Sequence, residues 1–258
     1  MKGQPKLIAE KIAALLREWP CVDSIITGHL LSGDFSDPYY FLSLDVYVSG
    51  ALPDSEERKK NLGFGVAFES SISKDKDRLL IDEIPVRIEY KPMDRVNVLL
   101  DFTDGREDFL ARLRGTGTYV FYKIINSDVF YDRGGWIAGL RKKLKNMPAS
   151  FWEALRSSYQ SRMEHCLSDL GAAAMRSDEL FFLISSANFL QCVCSVLFAV
   201  NKRFEPSFRL FSEQVKALPV LPESFAGRFD TLLRTNVDFP QARKYGIAEL
   251  LAKSLLSL

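Results

Sequence analysis

The sequence contains little cysteine, little histidine and almost no excess of either charge. Four cysteines among 258 residues are too few and too irregularly spaced for a secreted disulfide framework, so we expect free thiols. The two histidines form no zinc-ligand pattern with them. With 34 basic and 33 acidic residues, the chain has no global attraction to nucleic acid or to an anionic membrane. Nucleic acid is therefore not an expected partner.

The sequence also lacks the continuous apolar core of a signal peptide. Basic residues are interspersed among apolar residues over Met1–Trp19, and the apolar residues recur at helical spacing. This pattern predicts an amphipathic helix and a cytoplasmic location. The uncharged segment Leu180–Val200 is long enough to cross a bilayer. Serine, asparagine and glutamine interrupt it, and charged helical sequence flanks it. The composition therefore favours the central helix of a bundle and no membrane partner.

The two halves of the sequence have different patterns. In the first half, β-branched and aromatic runs predict strands at Asp23–Thr27, Ser43–Val48 and Pro85–Tyr90, and a strand pair at Tyr119–Ile125 and Val129–Tyr131. Helical spacing falls between these runs. From Pro148 onward only helical patterns occur, punctuated by prolines. The sequence therefore predicts an α+β domain over residues 1–146 and a helical bundle over 147–258, with the cleft between them as the default ligand site.

The stretch from Ile25 to Val48 reads IITGHLLSGDFSDPYYFLSLDVYV, a strand and glycine turn followed by a second strand that carries Asp45. This pattern resembles the nucleotidyltransferase superfamily of DNA polymerase beta and kanamycin nucleotidyltransferase. In that family the second strand bears two acidic residues one position apart. Residues i and i+2 of a strand point to the same side, so two such carboxylates can share a pair of metal ions.

The resemblance continues along the chain. VRIEYK at Val86–Lys91 is similar to the strand that supplies the family's third carboxylate, which implies Glu89. The later YKIINSDVFYDRGGWIAGLRKKLKNMP resembles an uncharacterised branch of nucleotidyltransferase-like proteins with a helical C-terminal domain. The resemblance implies a mixed sheet with flanking helices, Mg²⁺ as a cofactor, a nucleoside triphosphate substrate and phosphate contacts from the turn that contains Gly28, His29, Gly33 and Asp34.

Two departures from the family pattern bear on activity. His29 replaces the usual serine after Gly28. The two-carboxylate motif is incomplete, because the residues two positions from Asp45 are Ser43 and Tyr47. A two-ion site would then need Asp34, Asp37 or Glu89 to complete it.

Each of these residues also has a structural interpretation. Asp45 lies between apolar neighbours and has to escape burial or find a partner, which favours a site role. Glu89, between Arg87 and Lys91, equally fits a solvated strand face. Asp34 and Asp37 suit an ordinary polar turn. The basic run at 141–145 is typical of a solvated helix face, and the aromatic run at 39–41 of packing rather than base stacking.

Two functional hypotheses follow from the resemblance. In the first, Asp45 and Glu89 are catalytic metal ligands for Mg²⁺-dependent transfer of a nucleotidyl group to a hydroxyl of a small molecule or protein. In the second, the chain keeps the fold but acts as a degenerate nucleotide-binding or regulatory module. A third alternative, an interaction protein that docks a partner through its helical half, rests on 180–200 and the apolar C-terminal helix. Whether the chain forms a homodimer stays open.

Overall fold

The computed structural model describes residues 4–28, 39–63, 67–100, 113, 117–234 and 239–258. The chain divides into two compact units. The first consists of residues 1–104 and 123–146, and the second of residues 105–122 and 147–258.

A six-stranded mixed sheet forms the centre of the first unit. Its strands are β1 (Val22–Thr27), β2 (Leu42–Val48), β3 (Phe68–Ser70), β4 (Lys76–Ile81), β5 (Ile84–Pro92) and β6 (Asp128–Asp132). They lie in the order β3-β4-β5-β2-β1-β6. The pair of β2 and β5 is parallel, and the other described pairs are antiparallel. The parallel pair places Asp45 directly beside Glu89.

One face of this sheet is apolar and packs against α1 (Gln4–Leu16) and α2 (Ser55–Leu62). Alternate residues of β2 and β5 supply this core, and α1 adds residues three and four apart. A buried ion pair lies within this part of the unit: Arg58 of α2 donates two hydrogen bonds to Asp77 of β4, at 2.8 and 2.9 Å. The hydroxyl of Tyr90 donates a third, at 2.8 Å. Because one face is apolar, the charged residues of β2 and β5 lie on the other.

The predicted strand at Tyr119–Ile125 is wrong, because Tyr119–Asn126 forms a helix, α4. Its aromatic and β-branched residues favour a strand, but the fully buried residues, Phe121 and Ile124, are three apart and share one helical face. The return strand was predicted correctly and is β6. Helix α4 spans both units, because its residues 119–122 belong to the second and its residues 123–126 to the first. The described residues of the first unit also form α3 (Met93–Leu99) and α5 (Trp136–Lys145), and a 3₁₀ turn at Arg133–Gly135 precedes α5.

The second unit is helical in the described residues. Its long antiparallel pair is α6 (Ala149–Arg176) and α7 (Glu179–Val200), followed by α8 (Phe208–Lys216), α9 (Phe225–Leu233) and α10 (Gln241–Leu256). The predicted fold class, a nucleotidyltransferase-like mixed sheet followed by a helical C-terminal region, is confirmed. Two strands, β3 and β4, were not predicted.

Among the described residues, helix α7 is long and apolar enough to span a membrane, judged by length and composition alone. Half of its most apolar window is buried in the structure. Its C-terminal part, from Cys192 to Ala199, is buried, whereas Leu180, Leu183 and Ile184 near its start are exposed. The bundle interpretation from the sequence stays a prediction.

A buried carboxylate, Glu205, lies in the helical unit and receives hydrogen bonds from uncharged groups. Its Oε2 accepts from the backbone N–H and the hydroxyl of Thr118, each at 2.9 Å, and from the hydroxyl of Tyr159 at 2.8 Å. Ser195 donates to Oε1. Burial and the Glu205 carboxylate raise the pKa of Tyr159, so its hydroxyl stays protonated and donates. Glu205 therefore anchors the chain at Thr118, immediately before α4.

Candidate functional site

The candidate site lies on the polar face of the sheet. Side chains of a strand alternate between faces, so residues 43, 45 and 47 of β2 and residues 87, 89 and 91 of β5 share one side. Because the two strands are parallel and in register, each of these residues has a lateral neighbour at the same level. A strip of polar and charged side chains therefore runs across the centre of the sheet.

Asp45 is the centre of this strip and is fully buried. The Lys91 ammonium donates to its Oδ2 at 2.7 Å, and the Lys123 ammonium donates to its Oδ1 at 2.6 Å. Burial by itself raises the pKa of Asp45, but the charges and hydrogen bonds of the two lysines outweigh burial and leave the pKa below its ordinary value. Asp45 is therefore a carboxylate at neutral pH, and each of its oxygens accepts a hydrogen bond from an ammonium group.

Glu89 joins Asp45 in the same cluster through Lys91, whose Nζ is 3.4 Å from Oε2 of Glu89. Its Oε1 lies 3.3 Å from Nζ of Lys76 and 3.7 Å from the Arg87 guanidinium. Burial raises the pKa of Glu89, yet the surrounding cations, first among them Lys91, bring it below the ordinary value. Four cations thus surround two carboxylates, which leaves the cluster with a surplus of positive charge.

Lys123 reaches the sheet because α4 presents it toward β2. The helix end is held in place by Arg141 of α5, which donates to the carbonyl of Ile124 at 2.8 Å and also to the carbonyl of Ser127. Lys143 donates to the carbonyl of Leu100 at 2.7 Å. These two members of the basic run therefore hold backbone carbonyls, which agrees with a structural role for them. Lys142 of the same run is exposed.

Tyr47 lies two residues after Asp45 and is, with Ser43, one of the two positions at which the family pattern would have its other carboxylate. It is fully buried, and its ring packs against Trp136 at a centroid distance of 4.9 Å. Its hydroxyl makes no hydrogen bond to any described residue. Burial raises the pKa of Tyr47, and the charges of Asp45 and Glu89 raise it further, so the hydroxyl is protonated and able to donate.

Comparison with solved structures identifies the architecture. A nucleotidyltransferase-like protein from Exiguobacterium sibiricum 255-15 has a similar structure, with a TM-score of 0.50 and 13% sequence identity. The superposition covers 100% of this chain and 74% of that protein's chain. The fold is nucleotidyltransferase-like. A second match is to a CCA-adding enzyme in complex with ATP, with a TM-score of 0.31 and 10% sequence identity. It covers 98% of this chain and 82% of the enzyme's chain.

Comparison with family models gives a match over part of the chain. A family model described as a domain of unknown function (DUF4037) matches residues 116–209. This range begins just before α4 and contains both Lys123 and Glu205. Among curated proteins, none matches the chain by sequence.

The structure brings some of the predicted site residues together, and others lie outside the described part of the chain. Asp45 and Glu89 are brought together as lateral neighbours. Gly28 directly follows β1 and is half-buried; a methyl group there would meet no described atom within 4 Å. The predicted phosphate contacts His29, Gly33 and Asp34 lie outside the described residues, and so does Asp37.

Two residues of the cluster, Lys91 and Lys123, were not predicted. Lys91 is two residues after Glu89 on one strand, so alternation could have placed the two side chains together. Lys123 reaches Asp45 across 78 residues of sequence, and no local signal marks it.

The described residues do not fit a two-metal-ion site. No group of three or more histidine, cysteine, aspartate or glutamate side chains among them is arranged to hold a metal ion. Both oxygens of Asp45 accept from ammonium groups. A divalent cation about 4 Å from one of these ammonium groups would meet a repulsion of about 8 kcal/mol at an effective dielectric constant near 20. The donors around Asp45 therefore suit an anion better than a divalent cation.

Proposed function

We propose that the protein binds a nucleoside triphosphate on the polar face of its sheet and acts as a nucleotide-binding or regulatory module, with the transfer activity of the nucleotidyltransferase-like fold lost. The observation that carries this proposal is the pair of lysines on Asp45. They occupy the carboxylate that the family resemblance assigns to metal binding. They also contribute to the positive surplus around Asp45 and Glu89, which favours a polyphosphate ligand.

The division of roles within this site follows from exposure. Asp45 is fully buried and orients the two ammonium groups, while Lys91, Lys76 and Arg87 each expose about a third of their side chains and are accessible to phosphate oxygens. The Arg87 guanidinium stacks on Phe41 at 4.0 Å from the ring centroid, which fixes its plane. Lysine and arginine donate charge-assisted hydrogen bonds to phosphate, which are stronger than neutral ones.

The test is thermal unfolding of the full chain with ATP, in parallel samples that contain magnesium or EDTA. Ligand at about a hundred times its dissociation constant stabilises a protein by about 2.7 kcal/mol, which raises the unfolding midpoint by several degrees. Adenosine, which has no phosphate groups, is the matched control and is expected to give no shift. Absence of any shift with ATP in both buffers would reject nucleotide binding.

A second candidate function, Mg²⁺-dependent transfer of a nucleotidyl group to a hydroxyl acceptor, is favoured by one observation. Asp45 and Glu89, the two acids that the resemblance assigns to catalysis, are lateral neighbours on parallel strands. Incubation of the chain with labelled ATP, Mg²⁺ and candidate acceptors tests this function. Transfer that is abolished by Asp45→Ala, in a variant with an unchanged circular dichroism spectrum, would establish it. We expect no transfer.

A further inference from the structure

We infer that the site takes the phosphates of its nucleotide without a divalent cation, with Lys91 and Lys123 supplying the positive charge that metal ions would provide. This inference rests on the proposed function and specifies the ionic form of the ligand, free polyphosphate rather than its magnesium complex. It follows from the mismatch between the described residues and a two-ion site.

The two lysines retain donors for a ligand. An ammonium group has three N–H donors. Lys91 directs donors to Asp45 and Glu89, and Lys123 directs one to Asp45. Their remaining N–H groups can bind phosphate oxygens. Lys91 exposes 30% of its side chain and Lys123 only 11%. Lys91 is therefore the lysine that an incoming phosphate contacts first.

Tyr47 adds a second, independent indication of a ligand. Its hydroxyl is buried on the same strand face as Asp45, is protonated and has no hydrogen-bond partner among the described residues. A buried donor without a partner costs about 1–3 kcal/mol. An acceptor oxygen of a bound phosphate would satisfy this donor. Tyr47 thus takes a neutral donor role at one of the two positions, 43 and 47, where the family pattern would have its other carboxylate.

Charge decides which form of the nucleotide is preferred. Lys76, Arg87, Lys91 and Lys123 face only Asp45 and Glu89 in the described cluster, so the surplus is positive. Magnesium cancels two of the negative charges of ATP and occupies phosphate oxygens that the lysines would otherwise contact. Adding magnesium should therefore weaken binding, the reverse of what a metal-dependent site shows.

Calorimetric titration of the full chain with ATP, in EDTA and in excess MgCl₂, tests the inference. We expect binding in EDTA to be tighter than in MgCl₂. Equal or tighter binding in MgCl₂ would overturn the inference and leave the proposed function intact. Absence of binding in both buffers would overturn the proposed function itself. Inorganic triphosphate, titrated in EDTA, should bind as well, because the contacts inferred are to phosphate.

Three single variants assign the contacts. Lys91→Gln should weaken ATP binding in EDTA about tenfold, equivalent to the loss of one charge-assisted hydrogen bond. Lys142→Gln removes the same charge from the exposed side of α5 and should leave affinity unchanged. Tyr47→Phe should weaken ATP binding about threefold without lowering the unfolding midpoint, since the hydroxyl has no described partner to lose. Equal effects of Lys91→Gln and Lys142→Gln would show that binding is nonspecific and would overturn the inference.

Discussion

Each of the two units buries a carboxylate among groups that donate hydrogen bonds, but the donors differ in kind. Asp45 in the sheet unit is held by two ammonium groups. Glu205 in the helical unit is held by hydroxyl groups and a backbone N–H of Thr118, Tyr159 and Ser195. Asp45 and its two ammonium donors together carry more positive than negative charge. The groups that donate to Glu205 are uncharged, so within that set of hydrogen bonds the glutamate carries the charge. A surplus of cations suits an anionic ligand, whereas a carboxylate satisfied by neutral donors suits the attachment of one chain segment to another.

The difference separates a binding role from an anchoring role. Both carboxylates satisfy the requirement that a buried charge be hydrogen-bonded. At Glu205 two of the bonds come from the backbone N–H and the hydroxyl of Thr118, so their energy fixes the backbone before α4. At Asp45 the hydrogen bonds come from the flexible side chains of two lysines, so their energy orients the two ammonium groups. Substitutions should therefore separate the two, with stability affected more at Glu205 and ligand binding more at Asp45.

Glu205→Leu should have the largest effect on stability. The substitution leaves the hydroxyl of Tyr159 and the N–H and hydroxyl of Thr118 buried without their acceptor, which should lower the free energy of unfolding by about 4 kcal/mol. Denaturant unfolding monitored by circular dichroism measures this loss. Glu205→Gln, which keeps one acceptor oxygen, should lose about half as much. A loss below about 1 kcal/mol for Glu205→Leu would contradict the anchoring role.

Asp45→Asn should lower the free energy of unfolding by about 3 kcal/mol at neutral pH, because it leaves Lys123 buried beside a neutral amide. The loss depends on pH. The pKa of Asp45 is lowered in the folded state, so its contribution is fully present above the ordinary carboxyl pKa of about 4 and disappears as the pH falls through the lower folded value. The difference between wild type and variant should therefore narrow below about pH 4. A difference that is constant from pH 7 to pH 3 would contradict the ion-pair assignment.

Gly117→Ala should have the smallest effect, a loss of about 1–2 kcal/mol. Gly117 has a φ of +58°, and an added Cβ would lie 3.0 Å from Oε2 of Glu205. The substitution therefore combines backbone strain with crowding of the acceptor. In the background of Glu205→Leu the oxygen is absent, and we expect a smaller loss there. A double-mutant cycle measured by denaturant unfolding would show this coupling, and strict additivity would argue against it.

The sequence predicts the parts of the fold that have strong local patterns. Strands β1, β2 and β5 were found because β-branched residues and alternation mark them, and the helices after Pro148 because their apolar spacing is regular. The prediction of a strand at Tyr119–Ile125 was wrong because the composition of this segment favours a strand. The packing of Phe121 and Ile124 on one face stabilises a helix instead. Strands β3 and β4 are short or charged and carry no comparable pattern.

The site was predicted in part for the same reason. Asp45 could be identified as a charged residue on an apolar strand that needed a partner. That its partners are lysines could not be deduced from neighbouring residues, since Lys91 and Lys123 lie 46 and 78 residues away along the chain. Glu205 was missed because a single acid between Phe204 and Pro206 gives no hint that the fold will bury it.

The in-register pairing of β2 with β5 also governs which genetic changes this chain can accept. Deleting Arg87 from β5 would turn every later side chain of the strand over, so that Glu89 and Lys91 would face the apolar core while Ile88 and Tyr90 would face the polar strip. An amino-acid exchange at one of these positions alters the contacts of one side chain only. The gain or loss of a single codon within β5 would instead invert the whole segment, so codon insertions and deletions should be far rarer here than exchanges.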